Sequence, residues 1–269
     1  MATYPIYQLY IELEDFEPKI WRRFAISSSA TLARLAYTIM SMYEIREYYS
    51  YQFKIDEAES YKKRHPEYIR RPDRLQELNK KFLKARYGIV NRKNIYMYRG
   101  INDEYGELKD ATKIELKDVL RYEKDEMDFY YDPEVNWKFK IILEKNYRDL
   151  ARTGNDYPLV IEGKGYGIIE SCTTLNKLAE FRENSKNRHW RAKSDYQFYS
   201  TYDSKKNSFN FDKFDVDDVN MRIKAMQLFI KRRYEEQKLR RSNKVMKFMK
   251  RKYRVRRKKE KESIDKNKK

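Results

Sequence analysis

The residues that could do chemistry are few. The chain has two histidines, His65 and His189, and one cysteine, Cys172. A Cys/His zinc site needs its ligands in closely spaced pairs, and none exist here. A Ser-His-Asp or Cys-His arrangement would have to recruit one of the two histidines as base. His65 precedes Pro66 in a charged stretch and His189 lies in NSKNRHWRAK, so both read as surface residues. The GKGYG run, Gly163 to Gly167, follows an apolar strand but lacks the spacer and the Lys-Ser/Thr of a phosphate-binding loop. It reads as a tight turn that needs positive φ. Asp132, Glu134, Glu162 and Glu170 would have to converge to hold a divalent cation, and acidic residues at strand ends are more often solvated. The sequence therefore assigns no catalytic residue, no metal ligand and no cofactor.

Basic residues offer a different chemistry. Of the formal net charge of +19, the segment 221–269 carries 22 Lys and Arg against 5 Asp and Glu, a balance of +17. The preceding 220 residues are left with +2, so the body is nearly neutral and the basic character belongs to the C-terminal segment. Lys and Arg clustered in this way release counterions from a phosphate backbone and give affinity without sequence choice. The candidate contacts are Arg232, Arg233, Arg240, Arg241, Lys247, Lys250, Arg251, Lys252, Arg254, Arg256, Arg257 and Lys258. Tyr253 is placed to stack on a base, and Tyr234 and Phe248 are interleaved in the same way. The opposing reading is a solubilising tail that meets polyanions only adventitiously. Secondary candidates are Lys80 and Lys84 on a basic helix face, and Arg22 and Arg23 beside Trp21. Two Arg next to an indole could hold a phosphate or stack a base. The preferred alternative puts Trp21 in the core with one Arg paired to a carboxylate such as Asp132 or Glu134, because successive strand residues face opposite sides.

These residues need elements to position them. Tyr7, Leu9, Ile11 and Leu13 alternate with polar partners, the period of a half-buried strand. Pro18 marks a turn before a second strand, Ile20 to Ile26. Thr31 is the expected N-cap of a helix with Leu32, Leu35, Ile39 and Met42 on one stripe. Tyr51, Phe53 and Ile55 form a third strand. Asp73 begins a predicted helix that Gly88 ends, and Ile95 to Tyr98 is a short strand. Ile114 to Leu120 is a short helix reaching the sheet through Leu116, Val119 and Leu120. Met127 to Tyr131 and Trp137 to Leu143 make a hairpin. Tyr157 to Gly167 is extended, and Thr174 to Glu183 helical. Phe209, Phe211 and Phe214 pin the returning chain to the core. Asp215 or Asp217 caps a helix with Val219, Ile223, Met226 and Ile230 on one stripe. All seven glycines and six prolines lie at or before Gly167, so nothing beyond forces that helix to stop. The expected fold is α+β: a mixed, largely antiparallel sheet covered by helices, with a long basic C-terminal helix or arm.

The same stretches carry a resemblance. YQLYIELEDFEPKIWRRFAISSSATLARLAYTIM resembles the opening of the plasmid pRiA4b ORF-3-like family, also called transposon-passenger TnpR-type proteins. YYDPEVNWKFKIILEK (130–145), YPLVIEGKGYGIIES (157–171) and FNFDKFDVDDVNMRI (209–223) follow in the family's order. The resemblance implies the family's α+β domain over 1–55 and 89–226, with a basic helical insertion at 56–88 and a tail at 227–269. It implies no defined activity, only an association with plasmids and mobile elements. Where relatives carry His in the helix and near the third strand, this chain has Ala36 and Tyr49–Tyr51, so any polar site the relatives build lacks most of its titratable groups here.

The single cysteine fits a reducing compartment, and no apolar run approaches the ~18 residues of a membrane helix. No signal-peptide pattern opens the chain, and a cytoplasmic location with no membrane partner is expected. The expected role is a non-enzymatic nucleic-acid-binding accessory protein of a mobile element, contacting the DNA or RNA backbone. The alternatives are a protein-interaction module or inhibitor acting on a nucleoprotein complex, such as a nucleic-acid-guided defence nuclease, and a metal-dependent hydrolase or nuclease.

Overall fold

The computed structural model describes residues 4–45, 51–56, 61–62, 65, 86–90, 107–132, 135–149, 157–186, 202–203 and 208–230. Its first element is an antiparallel pair, β1 (Ile6–Leu13) and β2 (Trp21–Ser27), joined through the Pro18 turn. The helix α1 (Leu32–Met42) follows, with Thr31 at its N-cap accepting from the Arg34 N–H at 3.2 Å. Its stripe of Leu32, Leu35, Ile39 and Met42 is fully enclosed, as the 3.6-residue spacing required.

Eight strands form one sheet. They are β1, β2, β3 (Tyr51–Asp56), β4 (Arg86–Val90), β5 (Glu107–Asp110), β6 (Glu126–Tyr131), β7 (Trp137–Tyr147) and β8 (Leu159–Lys164). Their order is β5-β4-β3-β6-β7-β1-β2-β8, and every pair is antiparallel except β4 with β5. The expected hairpin is β6–β7, with Phe129 opposite Phe139. A second, two-stranded sheet pairs β9 (Tyr202–Asp203) with β10 (Ser208–Phe209). The remaining helices are α2 (Leu116–Val119), α3 (Leu175–Ser185) and α4 (Val216–Ile230).

Alternation sends Leu9, Ile11, Leu13, Phe24, Phe53, Phe129, Phe139, Ile141 and Leu143 to the packed face. There Tyr43, just past α1, donates to the Ile11 carbonyl at 3.0 Å and meets the Phe139 ring at 4.7 Å. The Phe211 ring joins Phe16, Tyr166 and Phe181. In α4, Val219 and Ile223 are buried, and Asp215 accepts from the N–H groups of Asp217 and Asp218 at 3.1 Å.

Two expectations change. Gly88 does not end a helix but sits inside β4 opposite Lys54, because the cross-strand pairing of 86–90 with β3 overrides local pattern. The short strand β5 was not expected either: four residues give no readable alternation. The helix expected from Asp73 and the strand at Ile95 to Tyr98 lie outside the described residues. Residues Met1–Leu228 form one compact unit; Phe229–Lys269 is a second, of which only the first two residues are described.

Candidate functional site

The Trp21-Arg22-Arg23 segment is divided by the sheet. In β2 the parity of Ile20, Arg22 and Phe24 is inward, so Arg22 occupies the packed face and is fully enclosed. Trp21 lies half-buried on the opposite, open face. The expectation of Trp21 in the core is therefore corrected: the indole is outside and the arginine inside, because a strand turns alternate residues to opposite faces.

Arg22 is held by carbonyls. Its Nη1 donates to the Trp21 carbonyl at 2.8 Å and the Lys164 carbonyl at 2.7 Å. Its Nη2 donates to Tyr166 at 2.6 Å and, more weakly, to Met42 at 3.4 Å. The Met42 carbonyl belongs to the C-terminal turn of α1, where the helix dipole favours a cation. The guanidinium also lies 4.9 Å from the Tyr43 ring centroid and 4.2 Å from that of Phe214. Burial brings its pKa down to about 10, so it stays charged at neutral pH. One side chain thus joins β2, the end of α1, the glycine bend and the returning chain.

The glycines make room for this. A Cβ on Gly163 would come within 2.8 Å of Arg22 Cδ and 2.9 Å of Phe214 Cζ. Gly165 and Gly167 take φ of 74° and 155°, and a Cβ on Gly167 would strike the Tyr43 carbonyl at 2.5 Å. Gly163 and Lys164 still belong to β8, so the expected turn is narrower: a bend at Gly165 with positive φ, which serves packing around the buried cation.

On the open face Trp21 stacks on Tyr10 at 5.6 Å between centroids, and Arg23 lies 5.5 Å from the Trp21 ring and 5.8 Å from the Tyr10 ring. Arg23 Nε meets Glu144 at 2.5 Å, its Nη2 meets the other Glu144 oxygen at 2.7 Å, and Nη1 pairs with Glu162. Hydrogen bonding from Arg23 holds the Glu144 carboxyl below its usual range and raises Arg23 in turn. The carboxylates that Arg23 meets are thus Glu144 and Glu162, where the sequence had pointed to Asp132 or Glu134. The same face continues with Lys138 on Glu14 and Asp128, Lys140 on Glu126, and Lys19 on Glu12. These cations meet carboxylates of the same sheet face, so a phosphate would have to displace a neighbour to reach one.

A third cluster lies at the end of β6. The Tyr131 hydroxyl donates to Glu170 at 2.5 Å, Tyr51 is paired with Tyr131 across the strands, and buried Asp132 takes a φ of 54°. Ala36 is buried in α1 and Tyr51 in β3, so these positions carry no imidazole. Among the described residues no group of three or more His, Cys, Asp or Glu converges enough to hold a metal ion. Burial pushes the Cys172 thiol up to about 11, the opposite of an activated nucleophile. His65 lies against the Tyr61 ring at 4.4 Å. Lys80, Lys84, Glu134, His189 and every candidate contact from Arg232 to Lys258 lie outside the described residues.

The described residues of Met1–Leu228 form an α+β sheet unit that encloses a buried arginine. Residues 5–218 match the family described as plasmid pRiA4b ORF-3-like protein, and the chain belongs to that family. The match ends before the basic segment. No curated protein matches. Among solved structures, the crystal structure of a protein of unknown function, MM3350 from Methanosarcina mazei Go1, is similar, with a TM-score of 0.54 and 19% identity. The alignment covers 81% of this chain and 98% of that one, a likeness of fold. Among the described residues no helix is long and apolar enough to cross a membrane.

Proposed function

We propose that this chain is a non-enzymatic accessory protein of a mobile genetic element that binds DNA or RNA through phosphate contacts of the segment 221–269. One observation carries the reading: a balance of +17 in the last 49 residues against +2 in the rest. Two features of the body support it. Among the described residues, Arg23, Lys138, Lys140 and Lys19 on the open sheet face meet carboxylates and Arg22 is enclosed, so these cations do not compete with the basic segment for phosphate. Within that segment Arg222 is already committed to Glu44 and Asp218, so phosphate contacts begin beyond it. Binding is by backbone and is indifferent to sequence. The protein works in the cytoplasm of the element's host.

The test is a salt titration of binding to labelled single-stranded DNA, duplex DNA and RNA. Changing Arg254, Arg256, Arg257 and Lys258 together to Glu should weaken binding to all three and reduce the slope of log K against log salt by about 3–4 on a duplex. An unchanged slope, or no binding by the wild-type chain at low salt, would refute the reading.

A further inference from the structure

The strand β8 is one end of the eight-stranded sheet, and its outer edge is met at Val160 by a side chain of α4. The Val160 N–H donates to Asn220 Oδ1 at 2.8 Å, and Asn220 Nδ2 donates to the Val160 carbonyl at 2.9 Å. A carboxamide in α4 thus makes the two bonds that a residue of a ninth strand would make. Three residues along, the Phe214 ring lies against Gly163, where a Cβ would come within 2.9 Å of it. Three further, the Tyr166 N–H donates to the Phe211 carbonyl at 2.9 Å. The return thus runs antiparallel to β8 with no strand of its own: Asn220 makes both edge bonds at 160, the Phe214 ring packs on the face beside 163, and the Phe211 carbonyl accepts from 166 just past the strand's end.

The cover is fastened from behind. Phe211 is packed among Phe16, Tyr166 and Phe181, Phe214 lies on the Arg22 guanidinium, and Val219 and Ile223 are buried. Arg222 pairs with Glu44, whose side chain is almost wholly enclosed. Beside the Asn220 contact, Ile161 is 43% exposed. An edge reading Leu-Val-Ile with unpaired amides is a template for another strand, and folded proteins close such edges by a covering element.

We propose that the return from Phe211 to Asn220 is a strand surrogate, which closes the β8 edge against antiparallel pairing with the β8 of a second copy of this chain. A second copy is the fitting occupant because the same edge on both chains pairs with itself about a two-fold axis.

The test uses the full-length chain with Asn220→Ala, a change that favours helix and removes only the carboxamide. Amide exchange followed by NMR should show Val160 exchanging at least about tenfold faster, with the β1–β2 amides unchanged. Light scattering after gel filtration should show concentration-dependent association beyond that of the wild type. Adding Ile161→Lys, a charge on the bared edge, should reverse it. In the wild type the Val160 amide should exchange in step with those of Val219 and Ile223, since its acceptor leaves with α4. Unchanged Val160 exchange, wild-type association at every concentration, association that Ile161→Lys does not reverse, or Val160 exchange independent of α4 would each overturn the proposal.

Discussion

Replacing Arg22 by Met keeps the volume and removes both the charge and the donors. Three of its four carbonyl bonds are short, at 2.6, 2.7 and 2.8 Å. Hydrogen bonds from a charged donor contribute about 1.5–3 kcal/mol each, so their loss costs about 6 kcal/mol. Against this stands relief of a desolvated cation. Burial lowers the guanidinium from 12.5 to about 10, and at about 1.4 kcal/mol per pH unit that is roughly 3 kcal/mol. The expected net loss is about 3 kcal/mol, or about 6–12 °C in Tm for a domain of this size. Arg22→Lys sharpens the test. The ammonium retains the desolvation cost but cannot span four carbonyls from one point, so it should destabilise at least as much as Met. Arg23→Gln, which breaks a half-exposed pair, should cost under about 1 kcal/mol. Urea unfolding followed by far-ultraviolet circular dichroism measures all three. If Arg22→Met unfolds at the wild-type midpoint, or Arg22→Lys is as stable as the wild type, Arg22 is not the fastening of this fold.

Two further perturbations separate the open face from the core. Trp21→Ala should cost about 1–2 kcal/mol, short of the 3–5 kcal/mol of a core Trp, because the indole is only half-buried; a larger loss in the same urea titration would return Trp21 to the interior. The lowered Glu144 carboxyl contributes stability above its unfolded value near 4.5 that is lost as pH falls through the lower folded value. Glu144→Gln should therefore flatten the acid side of the stability curve and leave the pH dependence above about 5 unaltered; an unchanged acid limb would show that the Arg23 pair carries no linkage.

Much of this was legible in the chain itself. Period-two alternation fixed the inward residues of β1, β3, β6 and β7, and helical spacing with Thr31 fixed α1, since both patterns are local consequences of backbone geometry. The charge segregation that carries the functional reading is likewise a property of the sequence alone. For β2 the sequence pointed to Trp21 in the core, because a positive charge between two apolar neighbours reads as a residue for the surface, whereas the structure turns Arg22 inward with Ile20 and Phe24. What made its burial affordable was settled only in three dimensions. Carbonyls from β2, the end of α1 and the glycine bend converge on one guanidinium, and two rings close over it. The same holds for the partners of Arg23 and for Asn220 on β8. A pattern along the chain can say which face a residue takes, but not which distant backbone group will meet it there.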